Sequence, residues 1–225
     1  MRVAVKQLAE LFLKGKVEES LTIMEQWIEK EVPSMEVYEE LLTETMYHIG
    51  ELWEENQITV ADEHIASNVC KYIASNYVAA KKKSHLDQER LKVKNKAMFF
   101  CVDEEKHDLG IQMVSNIFKE SNWDVRLLGA SLPLEDALSF ARKWQPDVIG
   151  MSVSIAYHLP SIINYTNELQ QLSFKPTILV GGRLARIYNL KEYCTDNTLV
   201  FQNLKEVHNW INYIRDDEHG DASSF

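Results

Sequence analysis

Apolar residues recur along residues 1–80 at steps of three and four. Leu8, Leu11 and Phe12 make one stripe, which Gly15 ends. Val17, Leu21, Met24, Trp27 and Ile28 make a second, and Pro33-Ser34 resets the chain. Val37, Leu41, Leu42, Thr45, Met46, Ile49, Leu52 and Trp53 predict a third helix, broken at Asn56-Gln57. Thr59-Val-Ala-Asp62 has the spacing of a capping box, with Asp in place of Glu or Gln. A fourth helix carries Ile65, Val69, Tyr72, Ile73 and Tyr77. Four amphipathic helices with short connections predict an antiparallel four-helix bundle over residues 1–84.

Residues 85–96 read as a polar, lysine-rich linker. From 97 to 225 the period changes. Short apolar runs at Ala97–Val102, Val125–Leu128, Val148–Ser152, Thr177–Val180 and Leu199–Phe201 alternate with helical stripes. Those stripes are Leu109–Glu120, Leu134–Trp144, Leu159–Leu172, Leu184–Tyr188 and Leu204–Ile214. Five such repeats predict a five-stranded, doubly wound parallel sheet, a Rossmann-like α/β domain with ligands beyond the carboxyl ends of its strands. The acidic tail from Arg215 to Phe225 reads as frayed.

Charge narrows the classes. The formal net charge is −10. It disfavours non-specific nucleic-acid binding and attachment to an anionic membrane. No run is long enough for a membrane span, and the N-terminus lacks a secretory apolar core. Cys70, Cys101 and Cys194 are scattered in apolar contexts, which fits a reducing cytoplasm with buried thiols.

The chemistry gathers at the predicted strand ends. After the first strand comes Asp103-Glu-Glu-Lys-His107-Asp108-Leu-Gly110, after the third Ser152-Val-Ser154-Ile-Ala-Tyr157-His158, and after the fourth Gly181-Gly182-Arg183. Glu105 stands two residues before His107. From there its carboxylate can take the imidazole Nδ1–H, fix the tautomer and leave Nε2 to bind a metal. A lone loop histidine that merely caps a helix has the same spacing. The serine and glycine loops tilt the reading towards a site. No Walker loop or Gly-x-Gly-x-x-Gly is present.

Glu105-Lys-His107-Asp108-Leu-Gly110, followed by a serine loop and Gly181-Gly182, resembles the signature of the cobalamin-binding domain family: Asp/Glu-x-His-x-x-Gly, Ser-x-Leu, Gly-Gly. The resemblance implies that His107 is the lower axial ligand of cobalt and Glu105 its orienting partner. It places Asp108 within the same motif and Gly110 at the entrance of the slot for the displaced nucleotide tail. Ser152 and the Gly181-Gly182 pair would line that slot. Ser154 replaces the family's Leu.

The helical half gains meaning beside this. Trp53, nine residues, then Glu63-His64 resembles the Trp–Glu–His motif of adenosylcobalamin-dependent photoreceptors, light-responsive regulators of the MerR type. There these residues contact the upper-face adenosyl group from a four-helix cap. Light breaks the cobalt–carbon bond and the oligomer comes apart. Core packing for Trp53 and a surface position for His64 are the competing readings. Two departures stand out: the sequence reads as opening on the first bundle helix, so no direct DNA binding is expected, and Glu54 follows the motif Trp where those photoreceptors carry a second cobalt-ligating His. His48 or His64 are the substitutes nearby.

The expectation is a non-enzymatic cobalamin-binding sensor, taking adenosylcobalamin or else methylcobalamin. It signals through homo-oligomerisation or a partner protein, without direct nucleic-acid or membrane contact. The alternative is a corrinoid methyl carrier of a methyltransferase system. A linear tetrapyrrole in the same cleft, near Tyr157 and His158, is a third reading.

Overall fold

The computed structural model describes residues 2–84 and 95–220, so most of the expected linker (85–94) and the last five residues of the tail lie outside the described residues. The chain divides into two compact units, Met1–Arg90 and Leu91–Phe225.

The described residues of the first unit form helices joined by short turns: α1 (Arg2–Leu13), α2 (Val17–Glu29), α3 (Ser34–Glu36), a π-helical segment (Val37–Thr43), α4 (Glu44–Glu54) and α5 (Val60–Ser84). The third predicted helix is thus a single continuous rod of three segments. Its π turn is a departure that the apolar spacing does not signal. α1, α4 and α5 pack on one another, and α2 packs on α5. Leu8, Phe12, Met24, Tyr38, Leu41, Leu42, Ile49 and Ile73 fill the core. The end of α4 is sharp. Asn56 takes φ +58°, Asn56 N–H donates to Trp53 O at 2.9 Å and Gln57 N–H to Leu52 O at 2.8 Å. This is a Schellman closure with asparagine at its left-handed position. The capping box then forms as the spacing predicts: Thr59 N–H donates to Asp62 Oδ2 at 2.8 Å, and Asp62 N–H to Thr59 Oγ1 at 3.3 Å.

The second unit holds a five-stranded, wholly parallel sheet of order β2-β1-β3-β4-β5. The strands are β1 (Lys96–Val102), β2 (Asp124–Leu132), β3 (Val148–Ser152), β4 (Thr177–Gly181) and β5 (Leu199–Val200). The helices are α6 (Leu109–Glu120), α7 (Leu134–Trp144), α8 (Leu159–Gln170) and α9 (Leu204–Gly220). Two expectations change here. Leu184–Tyr188 is not a helix: 3₁₀ turns at Arg183–Arg186 and Leu190–Tyr193 make the crossover from β4 to β5. The first part of the supposed tail continues α9 to Gly220.

Alternation along β1, β3 and β4 sorts their side chains onto two faces. Met98, Phe100, Val102, Ile149, Met151, Ile178 and Val180 pack with α7 and α8. On the other face, beside α6 and α9, Phe99 meets Phe118 edge-on, with ring centroids 4.8 Å apart, and Phe118 lies 6.4 Å from Trp210. The strand order reverses between β1 and β3. The loops that follow these neighbouring strands therefore diverge and leave a crevice at their carboxyl ends.

Candidate functional site

At that crevice the loop after β1 is locked by one side chain. Glu105 is fully buried. Its Oε1 accepts the His107 backbone N–H at 2.9 Å and the imidazole Nδ1–H at 2.6 Å. Its Oε2 accepts the N–H groups of Ser154 at 2.7 Å and Ile155 at 3.0 Å, from the loop after β3. Burial pushes the carboxyl up. The bonds from the His107 side chain, the His107 backbone and Ser154 outweigh it, and the group settles at about 2, against an ordinary 4.5.

An ionised carboxylate only accepts hydrogen bonds, so Nδ1 carries the imidazole proton. Nε2 then holds the lone pair with which a neutral imidazole binds metal. The His107 side chain is 60 % exposed, in contrast to its buried partner. The geometry expected from the two-residue spacing is present.

Sheet register brings further candidates together. Cys101 pairs with Ser152 and Ser152 with Gly181, so three small residues at or next to the ends of β1, β3 and β4 lie in one row on the α6–α9 face. Cys101 was not singled out by its sequence context; only the register adds it to the row. Its Sγ–H donates to His107 O at 3.7 Å. Ser154 contributes its backbone N–H to Glu105. Asp108 is the N-cap residue of α6 and accepts the Gln112 N–H at 3.0 Å through its carbonyl.

The glycines play different parts. A Cβ on Gly110, at the second position of α6, would meet no atom within 4 Å. Gly182 has φ +119°, and a Cβ there would lie 2.2 Å from Val153 O. Its missing side chain lets the glycine loop close onto the serine loop, where Val153 N–H donates to Gly181 O at 3.0 Å. The space at Gly182 is filled by Val153, whereas that at Gly110 is open. Tyr157 and His158 form the 3₁₀ turn that leads into α8, with ring centroids 5.6 Å apart.

In the helical unit, Trp53 is the penultimate residue of α4 and Glu63-His64 lie near the start of α5, after the Schellman turn and within or just beyond the capping box's first turn. Trp53 is 47 % exposed, more than a core aromatic would be. Glu63 Oε1 accepts the Ser67 hydroxyl at 2.6 Å, and its Oε2 lies 3.8 Å from His64 Nε2. His48 Nδ1 sits 3.5 Å from Glu51 on α4.

The donor set tests which metal this chemistry fits. Among the described residues no three His, Cys, Asp or Glu side chains cluster as a metal cage. A single tautomer-locked imidazole suits a metal that brings its own equatorial ligands, as cobalt in a corrin does. The open position at Gly110 leaves space near it, whereas Cys101 and Ser152 are buried and a Cβ on Gly181 would meet Phe201 O at 3.2 Å.

Comparison with known proteins agrees. Residues 95–197 match a family described as B12 binding domain, and residues 4–75 match a second family of the same description. The chain is 27% identical over 156 residues to the HTH-type transcriptional repressor CarH of Myxococcus xanthus, covering 69% of this chain and 50% of that protein. It is 25% identical over 162 residues to methionine synthase of Mycobacterium leprae, covering 69% of this chain and 13% of that enzyme. The matched stretch is therefore half the length of the first relative and a small part of the second. The solved structure of the Methanosarcina barkeri monomethylamine corrinoid protein shares the fold, with TM-score 0.70 at 14% identity over 92% of this chain and 96% of that one. Each of the two units thus matches a family described as B12 binding domain.

Proposed function

We propose that this chain is a cobalamin sensor in which His107 is the lower axial ligand of cobalt. The observation that carries this reading is the pairing of a buried, four-donor Glu105 carboxylate with an exposed His107 imidazole. Glu105 keeps the proton on Nδ1, so that Nε2 is the coordinating atom. Asp108, Gly110, Ser152, Ser154, Gly181 and Gly182 border the path of the nucleotide tail. Trp53, Glu63 and His64 on the helical unit read the upper axial group. Bound adenosylcobalamin would supply a cobalt–carbon bond that light can break.

The output of such a sensor is a change in self-association or in the hold on a partner protein. The dark and lit forms must differ in affinity for that partner, because equal affinity shifts no equilibrium. The likeness to the transcriptional repressor CarH over 69% of this chain supports a regulatory role, and the Trp53–Glu63–His64 spacing supports a light-responsive one. The net charge of −10 favours a protein partner over nucleic acid. No helix among the described residues is long and apolar enough to cross a membrane. Cys70, Cys101 and Cys194 are buried and, among the described residues, form no disulfide, as a reducing cytoplasm allows.

The test uses the purified protein in the dark with adenosylcobalamin or methylcobalamin, followed by spectra, illumination and size-exclusion chromatography. A His-ligated spectrum and a light-dependent elution shift with the adenosyl form are expected. Bleaching without any change in assembly or partner binding would remove light signalling. An unaltered spectrum in His107→Ala would remove His107 as ligand.

The similarity to methionine synthase over 69% of the chain favours one second reading, a corrinoid methyl carrier. That reading predicts methylcobalamin bound as tightly as the adenosyl form, and transfer of its methyl group to a thiol acceptor when a methyltransferase is supplied.

A further inference from the structure

The loop that presents His107 is tied on two sides. Glu105 binds it to the loop after β3; the other side meets the end of β2. There the β1–β2 register slips twice, from Phe99↔Leu127 to Phe100↔Gly129 and then to Val102↔Leu132. The strand ends are therefore irregularly joined. A side chain from the opposite layer bridges them. Tyr165 on α8 accepts the Asp103 N–H at 3.1 Å and donates its hydroxyl proton to Leu132 O at 2.7 Å. One phenol oxygen thus links the first amide beyond β1 to the last carbonyl of β2. The ring is 3 % exposed and lies 5.9 Å from Phe100 by centroids, so the packed core sets its position.

The contacts around this bridge reinforce it. Glu104 N–H donates to Ser131 Oγ at 3.0 Å, Ser131 Oγ–H to Asp103 Oδ1 at 3.2 Å, and Ser131 N–H to Glu105 O at 2.9 Å. Glu104 and Ser131 are both held at left-handed φ, +62° and +51°. Such backbone persists where surrounding contacts over-determine it.

We infer that Tyr165 is a positioning residue for His107: through Asp103 and Leu132 its hydroxyl fixes the loop from which the Glu105–His107 pair projects. The inference rests on His107 being the cobalt ligand only for its effect on the cofactor. Its effect on the loop can be read without cobalamin.

The experiment compares wild type with Tyr165→Phe, which keeps the ring and removes the bridge. Ile162→Val, a fully buried substitution on the same helix, serves as the control for general loosening. In the cobalamin-free protein, amide hydrogen exchange of residues 103–108 is expected to rise about fivefold to tenfold in Tyr165→Phe, as loss of one or two hydrogen bonds implies. It should stay near wild type in Ile162→Val. With hydroxocobalamin at one fixed pH, Tyr165→Phe should show a mixed spectrum, part of it lacking the imidazole ligand, and faster cobalamin release. Unchanged exchange at 103–108, or an equal rise in both variants, overturns the proposal. If loop exchange rises in Tyr165→Phe alone while wild type and His107→Ala give identical cobalamin spectra, positioning stands and the ligand role of His107 falls.

Discussion

Glu105 Oε2 accepts the backbone N–H of Ser154 at 2.7 Å, a bond that spans the point where the strand order reverses. Because the carboxylate's other oxygen holds His107, one side chain ties two loops and orients an imidazole. Glu105→Gln keeps the shape and loses the charge. Its amide nitrogen cannot accept, so either the Ser154 and Ile155 N–H groups or those of His107 lose their partner. A loss of about 2 kcal/mol or more is expected, read by denaturant unfolding without cobalamin. A stability within 0.5 kcal/mol or so of wild type would show that the lock contributes little.

The same carboxyl sets a pH window. It is held near 2 in the folded chain, below its ordinary 4.5. A depressed carboxyl stabilises the fold above the unfolded value and loses that contribution as pH falls towards the folded one. Stability of the cobalamin-free protein should therefore drop between about pH 4.5 and about pH 2, by up to ~3 kcal/mol from this group. Glu105→Gln should flatten that part of the curve. Parallel acid-unfolding curves for the two proteins would contradict the assignment.

Two glycine substitutions should separate fold from ligand. Gly182→Ala places a Cβ 2.2 Å from Val153 O at a left-handed φ. It should cost about 3 kcal/mol or more, visible as a lowered melting temperature. Gly110→Ala meets open space within a helix. It should stabilise the cobalamin-free protein by up to ~1 kcal/mol yet weaken cobalamin binding. Unchanged affinity in Gly110→Ala would mean that no ligand approaches there.

Trp53 is half-exposed at the end of α4. Trp53→Ala should cost only about 1 kcal/mol while reducing the preference for adenosylcobalamin over methylcobalamin. Calorimetric titration with each form decides it. A large fall in stability with an unaltered preference would return Trp53 to a packing role.

Much of this was legible in local pattern. The change from a three–four period to short apolar runs located both halves, and α6 and α7 begin and end at the predicted residues, because each such element's amphipathic stripe is written in consecutive residues. The turn at Asn56 and the Thr59–Asp62 box were readable for the same reason. The π segment at Val37–Thr43 was not, since Val37, Tyr38, Leu41 and Leu42 suit either helical winding. The 3₁₀ crossover after β4 was missed because its Leu184 and Ala185 mimic a helical stripe.

The sequence by itself determined the pairing of Glu105 with His107, since two residues in one loop meet without help from the rest of the chain. It also determined which side chains are available at the ends of the strands. Only the tertiary structure decided where Glu105's second oxygen goes, which small residues share the row Cys101–Ser152–Gly181, and that Tyr165 bridges Asp103 to Leu132. Those contacts join residues 33 to 62 positions apart or depend on sheet register. Register and layer packing follow from burial of the whole sheet, which no local stretch of sequence encodes.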